Sequence, residues 1–557
     1  MRHKIVGAAF YCAALFLLIQ SVILSFSTDI WYDELFTMEF AARPVAELIS
    51  LTARDVHPPL YYMIVRMFLL MGQGLGIVGG APGQLAPEVL AKLVSILPFF
   101  ILMIYSLTTV RKHFGFLASG LFSFAIITMP QLPEYTTEIR MYSWTILFVT
   151  AALLHAMSLI RSEMAGNEAG FDVTDALALW LYSAAAAYSH YYGAFSVGII
   201  LGIMLIWMIV YFVRNMKSGN LKAVNVKALA LVIGLINLTA ASYVPWISVV
   251  LKQVSAVKAN YWIQPVGLHS LGSCAKYLFK GYFTNEALAT VIAVALFVLI
   301  AFMFVRTVMR AFKSYRTAAV NFTEAADLDS RTFDVFTLYA FMVLPLLIFA
   351  GLLASWLIRP VFVNRYMLPA YGCFWLSVSI MVAKELETKP EVSEKSSLFG
   401  KAAMLAAALL LVLMAVVGTI DFRAFIGNEQ YRKVNMDKTL ALFEELDSDT
   451  IIISNFTHVQ GLLSYYLNKG DGDYKIYLYQ ENPEPLIEET VPGLLSLDDP
   501  IDIANYLEGG KKVLFLGSFN SRDVLVHEWE DNLGIKNENQ GSYLMERYWF
   551  DVFKLSL

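Results

Sequence analysis

Cysteine is scarce. The three residues, Cys12, Cys274 and Cys373, stand far apart in or beside apolar runs, which excludes a disulfide framework and a CxxC metal site. Charge is scarce too. Only 16% of residues are Asp, Glu, Lys or Arg, against 58% hydrophobic ones, whereas soluble globular chains carry roughly 25% charge. The formal net charge of −5 gives no basic face, so nucleic acid is not an expected partner. Low-complexity tracts and internal repeats are missing. Arg2, His3 and Lys4 precede the first apolar run as in a secretory leader. That run is about 20 residues long and no small-residue cleavage site follows it, so it reads as a retained anchor.

What is present is apolar length. A bilayer span takes about 20 mostly apolar residues. Candidates fall at 5–26, 89–109, 114–130, 141–160, 174–190, 193–213, 227–250, 286–306, 335–357, 361–383 and 401–420. These about eleven spans make a polytopic α-helical membrane protein, with its membrane domain over 1–420. The apolar stretch 58–71 is short and opened by two prolines, and reads as an interfacial helix within an outer loop at 28–88. Placing Arg2 and Lys4 inside also places Arg111, Lys112, Arg161 and the stretches 214–227, 306–331 and 384–401 inside, in agreement with positive-inside bias. Loops 28–88, 131–140, 251–285 and 358–365 then lie outside, with everything after Asp421. The expected location is a plasma (inner) membrane, with 421–557 as an extracytoplasmic domain. That tail is polar, with β-like runs at Thr450–Ser454, Tyr474–Tyr479 and Lys512–Leu516 and helical stretches at Asp437–Leu446 and Val459–Leu467. Strands alternating with helices read as a small α/β domain.

The chemistry-bearing residues collect in the outer loops. Asp29, Asp33 and Glu34 follow the first span directly. Charge is costly near a bilayer, and such groups mark function: a carboxylate there takes a proton from a hydroxyl or helps hold a metal. The structural alternative is a helix N-cap. Asp55-Val-His57-Pro58-Pro59 comes next, its prolines fixing a helix start and holding Asp55 and His57 at the membrane surface. His57 is a candidate phosphate donor or metal ligand. Glu138 and Arg140 stand at the mouth of the fourth span; Arg140 pairs with a carboxylate, grips a phosphate, or snorkels. His190, Tyr191 and Tyr192 form a short outer hairpin that also suits an interfacial aromatic belt. Arg359 and Arg365 crowd a short outer loop beside Tyr366. Positive-inside bias disfavours them there, which calls for an anion such as a lipid phosphate. The loop 252–285 adds Lys258, Trp262, His269, Lys276 and Lys280 as weaker candidates for a sugar or lipid headgroup.

At these residues the sequence resembles the GT-C glycosyltransferases, and within them the protein O-mannosyltransferase-like and lipid A aminoarabinose transferase-like branch. The resemblance is carried by Asp33-Glu34, His57-Pro58-Pro59-Leu60-Tyr61-Tyr62, Glu138-Ile139-Arg140-Met141-Tyr142, His190-Tyr191-Tyr192-Gly193 and Arg365-Tyr366-Met367-Leu368-Pro369, in order across residues 1–385. It implies a GT-C fold and an inverting transfer of a sugar from a polyprenyl-phosphate donor to an acceptor hydroxyl on the outer face. The acceptor is a glycan, lipid or protein. The resemblance implies Asp33 as base, and Glu34 or Glu138 is expected to orient the acceptor. Arg365, Arg359, Tyr366, Arg140 and His57 then hold the donor phosphate, and Asp55, Tyr61, His190 and Tyr191 contact substrate. In the aminoarabinose transferases Glu-Lys precedes the paired prolines; here Val56-His57 does, which leaves the phosphate-gripping residue and any divalent metal open. Two readings compete: a polyprenyl-linked polysaccharide polymerase or ligase, and a lipid-linked sugar transporter or flippase. A flippase predicts ionisable groups mid-span and paired broken helices, and neither is prominent. A receptor or assembly scaffold would not need outer carboxylates and arginines together.

Overall fold

The structure, a computed structural model, describes residues 2–164, 172–217, 226–257, 263–317, 325–387, 398–470 and 472–557. Lys258 and Trp262 lie outside the described residues. The chain runs through helices α1 (Arg2–Leu24), α2 (Tyr32–Ala42), α3 (Val45–Arg54), α4 (Leu60–Gly74), α5 (Pro87–Tyr105), α6 (Arg111–Thr128), α7 (Tyr142–Met164), α8 (Val173–Ser189), α9 (Tyr191–Lys217), α10 (Val226–Val257), α11 (Leu268–Phe279), α12 (Glu286–Thr317), α13 (Ala325–Leu357), α14 (Tyr371–Glu387) and α15 (Leu398–Glu444). A six-stranded sheet follows: β1 (Ile451–Ser454), β2 (Ile476–Tyr479), β3 (Leu494–Leu497), β4 (Val513–Gly517), β5 (Lys536–Met545) and β6 (Tyr548–Ser556).

Among the described residues, nine helices are long and apolar enough to cross a membrane. Three of the eleven expected spans account for the difference. The expected 174–190 is α8, which at 17 residues is about 26 Å long. The expected pair 89–109 and 114–130 lies in one run, Pro87–Thr128. That run is not straight, because Gly115 has φ 89°. Ser106 Oγ donates to the Ser119 carbonyl at 2.7 Å and Ser123 Oγ to Ser106 Oγ at 2.9 Å. Residues 106 and 119 would be about 20 Å apart on a continuous helix, so α5 and α6 fold back on each other.

The chain divides into two compact units. The first comprises Met1–Ile23, Val56–Tyr61 and Ser95–Phe425. It is helical, and α14 fills its interior, with Tyr371, Trp375, Val378 and Val382 fully buried. The second comprises Leu24–Asp55, Tyr62–Val94 and Ile426–Leu557. Its sheet order is β3-β2-β1-β4-β6-β5. β1 to β4 are parallel, as in Ile452↔Leu514 and Ile452↔Ile476, and β6 returns antiparallel against β4. All residues of β1 and β4 are buried, as expected for central parallel strands covered on both faces. Ile453, Phe515, Trp529 and Ile535 form part of the core, and the buried Trp529 indole N–H finds the Tyr479 hydroxyl at 3.2 Å.

Two details concern the tail and the loop packed with it. The stretch Asp437–Leu446 is not a separate helix; up to Glu444 it continues α15. Most of the first outer loop, Leu24–Asp55 and Tyr62–Val94, belongs to the same compact unit as the sheet. Arg54 grips Glu489 through both guanidinium nitrogens at 2.7 and 2.9 Å, and Arg43 donates to the Thr490 carbonyl at 2.7 Å. Tyr466 Oη accepts from the Ile30 amide at 2.9 Å and donates to the Thr28 carbonyl at 2.8 Å.

Candidate functional site

In the first unit, the His190-Tyr191-Tyr192-Gly193 motif makes a sharp break. His190 ends α8 in an extended conformation (φ −158°), and α9 begins at the next residue. The Ala194 amide donates to the His190 carbonyl at 3.1 Å, closing the first turn. Gly193 is required there: a Cβ would stand 2.4 Å from the Ala186 carbonyl oxygen. The break leaves the His190 ring inside the unit, only 2% exposed.

The other motifs converge on that ring. His57 lies 5.6 Å away centroid to centroid, Tyr142 5.5 Å and Tyr366 5.0 Å. Tyr366 stacks in turn on Tyr192 at 4.9 Å. Arg140 and Arg365 are close enough to act electrostatically on both His190 and Tyr142, and Glu138 on Tyr142. The Tyr192 amide donates to His190 Nδ1 at 3.0 Å. Nδ1 is therefore the acceptor, and Nε2 carries the proton. Nε2 and the Tyr142 hydroxyl are buried without a hydrogen-bond partner. Buried donors left unmatched are costly, and here they sit among two guanidiniums and a second histidine. This arrangement suits an anion.

A cavity of about 410 Å³ opens on this cluster. His57, His190, Tyr191, Tyr366 and Gln253 supply its polar lining, while Phe195, Val250, Val254, Ala354, Ile358 and Val361 are among its apolar walls. Tyr191 Oη donates to Gln253 Oε1 and accepts from the Trp246 indole at 3.2 Å, which holds the polar wall in place. Sequence reasoning missed Tyr243 and the α10 and α13 walls, since these positions sit in apolar runs with no motif, and it did not single out Gln253 within the loop 252–285.

The remaining candidates are distributed as follows. Arg359 is half-buried in the turn after α13 and does not line the cavity. Tyr61 is fully buried, with its hydroxyl 3.2 Å from Ser95 Oγ. Asp33, Glu34 and Asp55 belong to the second unit. Glu34 is buried and its Oε2 accepts from the Trp31 amide at 2.9 Å, closing the start of α2 as a capping box does. Asp33 is half-buried in the first turn of α2. Asp55 caps the end of α3 and accepts from the Tyr62 hydroxyl at 3.4 Å. Asp29 forms a buried ion pair with Lys92 at 3.1 Å, each side chain 4% exposed, and Lys92 also donates to Ser27 Oγ at 2.9 Å. Burial pushes the Asp29 carboxyl up, but the Lys92 ammonium and the Ser27 hydroxyl outweigh it and hold it below its usual range. Lys92 was not singled out from sequence, although a lone cation in an otherwise apolar run is the signal that could have found it.

His458, in the first turn of the helix Thr457–Leu467, was not singled out from sequence. Its ring stacks on Tyr32 at 4.0 Å with an interplanar angle of 18°, next to Asp33. Burial lowers it to about 4, and Asp33 pulls it partly back. No group of three or more His, Cys, Asp or Glu among the described residues is placed to hold a metal ion, so a divalent metal has no assigned ligands here.

No family model matches the chain, and no curated protein matches it. Solved structures resemble it at low sequence identity. ArnT from Cupriavidus metallidurans bound to undecaprenyl phosphate is 13% identical, over 99% of this chain and 98% of that one, with a TM-score of 0.49. The Archaeoglobus fulgidus oligosaccharyltransferase is 10% identical over 91% of this chain and 69% of its own, with a TM-score of 0.40. The Saccharomyces cerevisiae Pmt1–Pmt2 O-mannosyltransferase is 16% identical over 45% and 34%, with a TM-score of 0.30.

Proposed function

We propose that the protein is an inverting membrane glycosyltransferase, which moves a sugar from a polyprenyl-phosphate donor to an acceptor hydroxyl on the outer face of a plasma membrane. The observation that carries this is the first unit's cavity: a largely apolar chamber whose polar end is made by His57, His190 and Tyr366, with Arg140 and Arg365 acting on His190. A phosphate on an apolar tail matches both halves. Arginine forks bind phosphate with two parallel hydrogen bonds, and His190 Nε2–H and the Tyr142 hydroxyl add two donors.

In this reading Asp33 takes the proton from the acceptor hydroxyl, and Glu138 helps to orient it. The hydroxyl oxygen attacks the anomeric carbon from the face opposite the phosphate. The bond from that carbon to the phosphate oxygen breaks, and the lipid phosphate leaves with the electron pair. Negative charge grows on the departing phosphate in the transition state, so Arg365, Arg140, His57 and His190 contribute most at that moment.

The test uses the purified protein in lipid nanodiscs with radiolabelled polyprenyl-phosphate sugars and cell-envelope acceptors, beside Asp33→Asn and a chelator arm. Removing a general base costs roughly 10²- to 10⁴-fold in rate, so label should reach an acceptor with the native protein and nearly none with Asp33→Asn. Full transfer by a well-folded Asp33→Asn variant would remove the assigned base. Activity lost on chelation would call for a metal site.

A further inference from the structure

The second unit contains a feature that the donor site does not use. Its sheet order, β3-β2-β1-β4-β6-β5, reverses direction at β1: the chain proceeds from β1 to β2 and β3 on one side, and β4 pairs on the other. In open α/β sheets ligands bind outside the carboxyl ends of the strands at such a switch point. The carboxyl ends of β1 and β4 carry Phe456 and His458, and Phe519. Phe456 lies 4.9 Å from Phe519 and 5.4 Å from Tyr548, and His458 lies 5.0 Å from Tyr548. Tyr32, preceding Asp33, closes the set by stacking on His458.

Phe519 is 61% exposed and has φ 58°, a left-handed conformation that is costly for a bulky residue and clusters at functional sites. Asn455 holds it there: its Oδ1 accepts from the Ser518 amide at 2.7 Å and its Nδ2 donates to the Ser518 carbonyl at 2.9 Å. A large apolar ring is thus fixed outward. His458 Nδ1 is buried with no hydrogen-bond partner, and Asp33 acts on the His458 ring as Glu484 does on Tyr32. Aromatic faces beside carboxylates and a ring nitrogen match a sugar, which offers C–H faces and hydroxyls together. The carboxylates disfavour an anionic occupant.

Resting on the glycosyltransferase reading, we propose that this aromatic cluster is the acceptor subsite and that the acceptor is a neutral carbohydrate. One sugar ring lies against Phe456, Phe519 and Tyr548. Its attacking hydroxyl faces Asp33, and a neighbouring hydroxyl meets His458 Nδ1. The acceptor class is then glycan rather than peptide.

The full-length protein in nanodiscs is titrated with mannotetraose, cellotetraose and a neutral serine-containing hexapeptide by saturation-transfer NMR, beside Phe519→Ala and His458→Gln. Undecaprenyl phosphate binding is measured separately. A tetraose should bind the native protein, and both variants should weaken it by about tenfold with undecaprenyl phosphate binding unchanged. Phe519 is exposed, so its variant is expected to fold. Absence of tetraose binding, equal binding by Phe519→Ala, or binding of the hexapeptide alone would each overturn the proposal. Failure to bind undecaprenyl phosphate, with tetraose binding intact, would instead sink the donor reading and leave the carbohydrate site standing.

Discussion

His190 accepts the Tyr192 amide through Nδ1, so only its Nε2–H remains to offer a ligand. A hydrogen bond to a charged group contributes roughly 1.5–3 kcal/mol. His190→Phe should therefore raise the dissociation constant for undecaprenyl phosphate about 10- to 100-fold, whereas His190→Gln, which keeps an amide donor, should lose less. Equal losses in a nanodisc binding titration would show that Nε2–H is not the contributing group. His458 gives a second residue-scale expectation. Folding lowers it from 6.5 to about 4, so the unfolded chain binds a proton that the folded chain refuses. Stability is then lost as pH falls from 6.5 towards 4 and is unaffected above that window. By about pH 5 the loss approaches roughly 2 kcal/mol, less the screening of a partly exposed ring. Thermal melts at about neutral pH and about pH 5 should show the native protein losing more than His458→Phe; parallel losses would contradict this.

Two contacts at the element scale are expected to be expensive to disturb. α1 and α6 meet backbone to backbone: a Cβ on Gly120 would stand 2.0 Å from the Gly7 carbonyl oxygen, and one on Gly7 2.5 Å from the Phe116 carbonyl oxygen. Small residues allow such approach between membrane helices. Gly120→Leu should separate them and lower the melting temperature, while Gly198→Ala, which meets nothing within 4 Å, should not. The Asp29–Lys92 pair ties the segment after α1 to α5. Removing one partner strands a buried charge, at a cost of about 3–5 kcal/mol. Lys92→Met alone should thus destabilise strongly, and Lys92→Met with Asp29→Leu should recover much of the loss; no recovery in thermal melts would place the value of Lys92 elsewhere.

The same scale shows what the sequence made legible. Long apolar runs announced the helices, and the all-apolar runs of β1, β2 and β4 announced three strands. β5 was silent because it reads Lys-Asn-Glu-Asn-Gln-Gly and is largely exposed, with no alternation to detect. β3 is four residues long, with two of them exposed. In the candidate site, the ordered motifs led to His57, Arg140, His190, Arg365 and Tyr366. They did not lead to His458, whose partner Tyr32 is 426 positions away in the sequence. Long-range pairs such as Arg54 with Glu489 join the outer loop to the tail without any local pattern.

At the scale of the whole molecule, span parity sets which side of the membrane each end occupies. If Pro87–Thr128 were one crossing, every later loop would change sides and the basic stretches after it would face outward, against positive-inside bias. The fold-back of α5 on α6, with Arg111 and Lys112 near its turn, argues for two crossings. α8 at about 26 Å is close to the roughly 30 Å hydrocarbon core and counts as another. Counted over the described residues this makes an odd number of crossings, which predicts opposite sides for the two ends. In a Cys12→Ala background, where the other two cysteines are buried, Glu538→Cys should react with a membrane-impermeant maleimide on intact cells. Lys112→Cys should react only after the membrane is opened. Both positions are exposed, so silence reports sidedness and not burial. The reverse pattern would place the tail, Asp33 and its neighbour His458 on the cytoplasmic face, where a donor presented on the outer leaflet could not reach them.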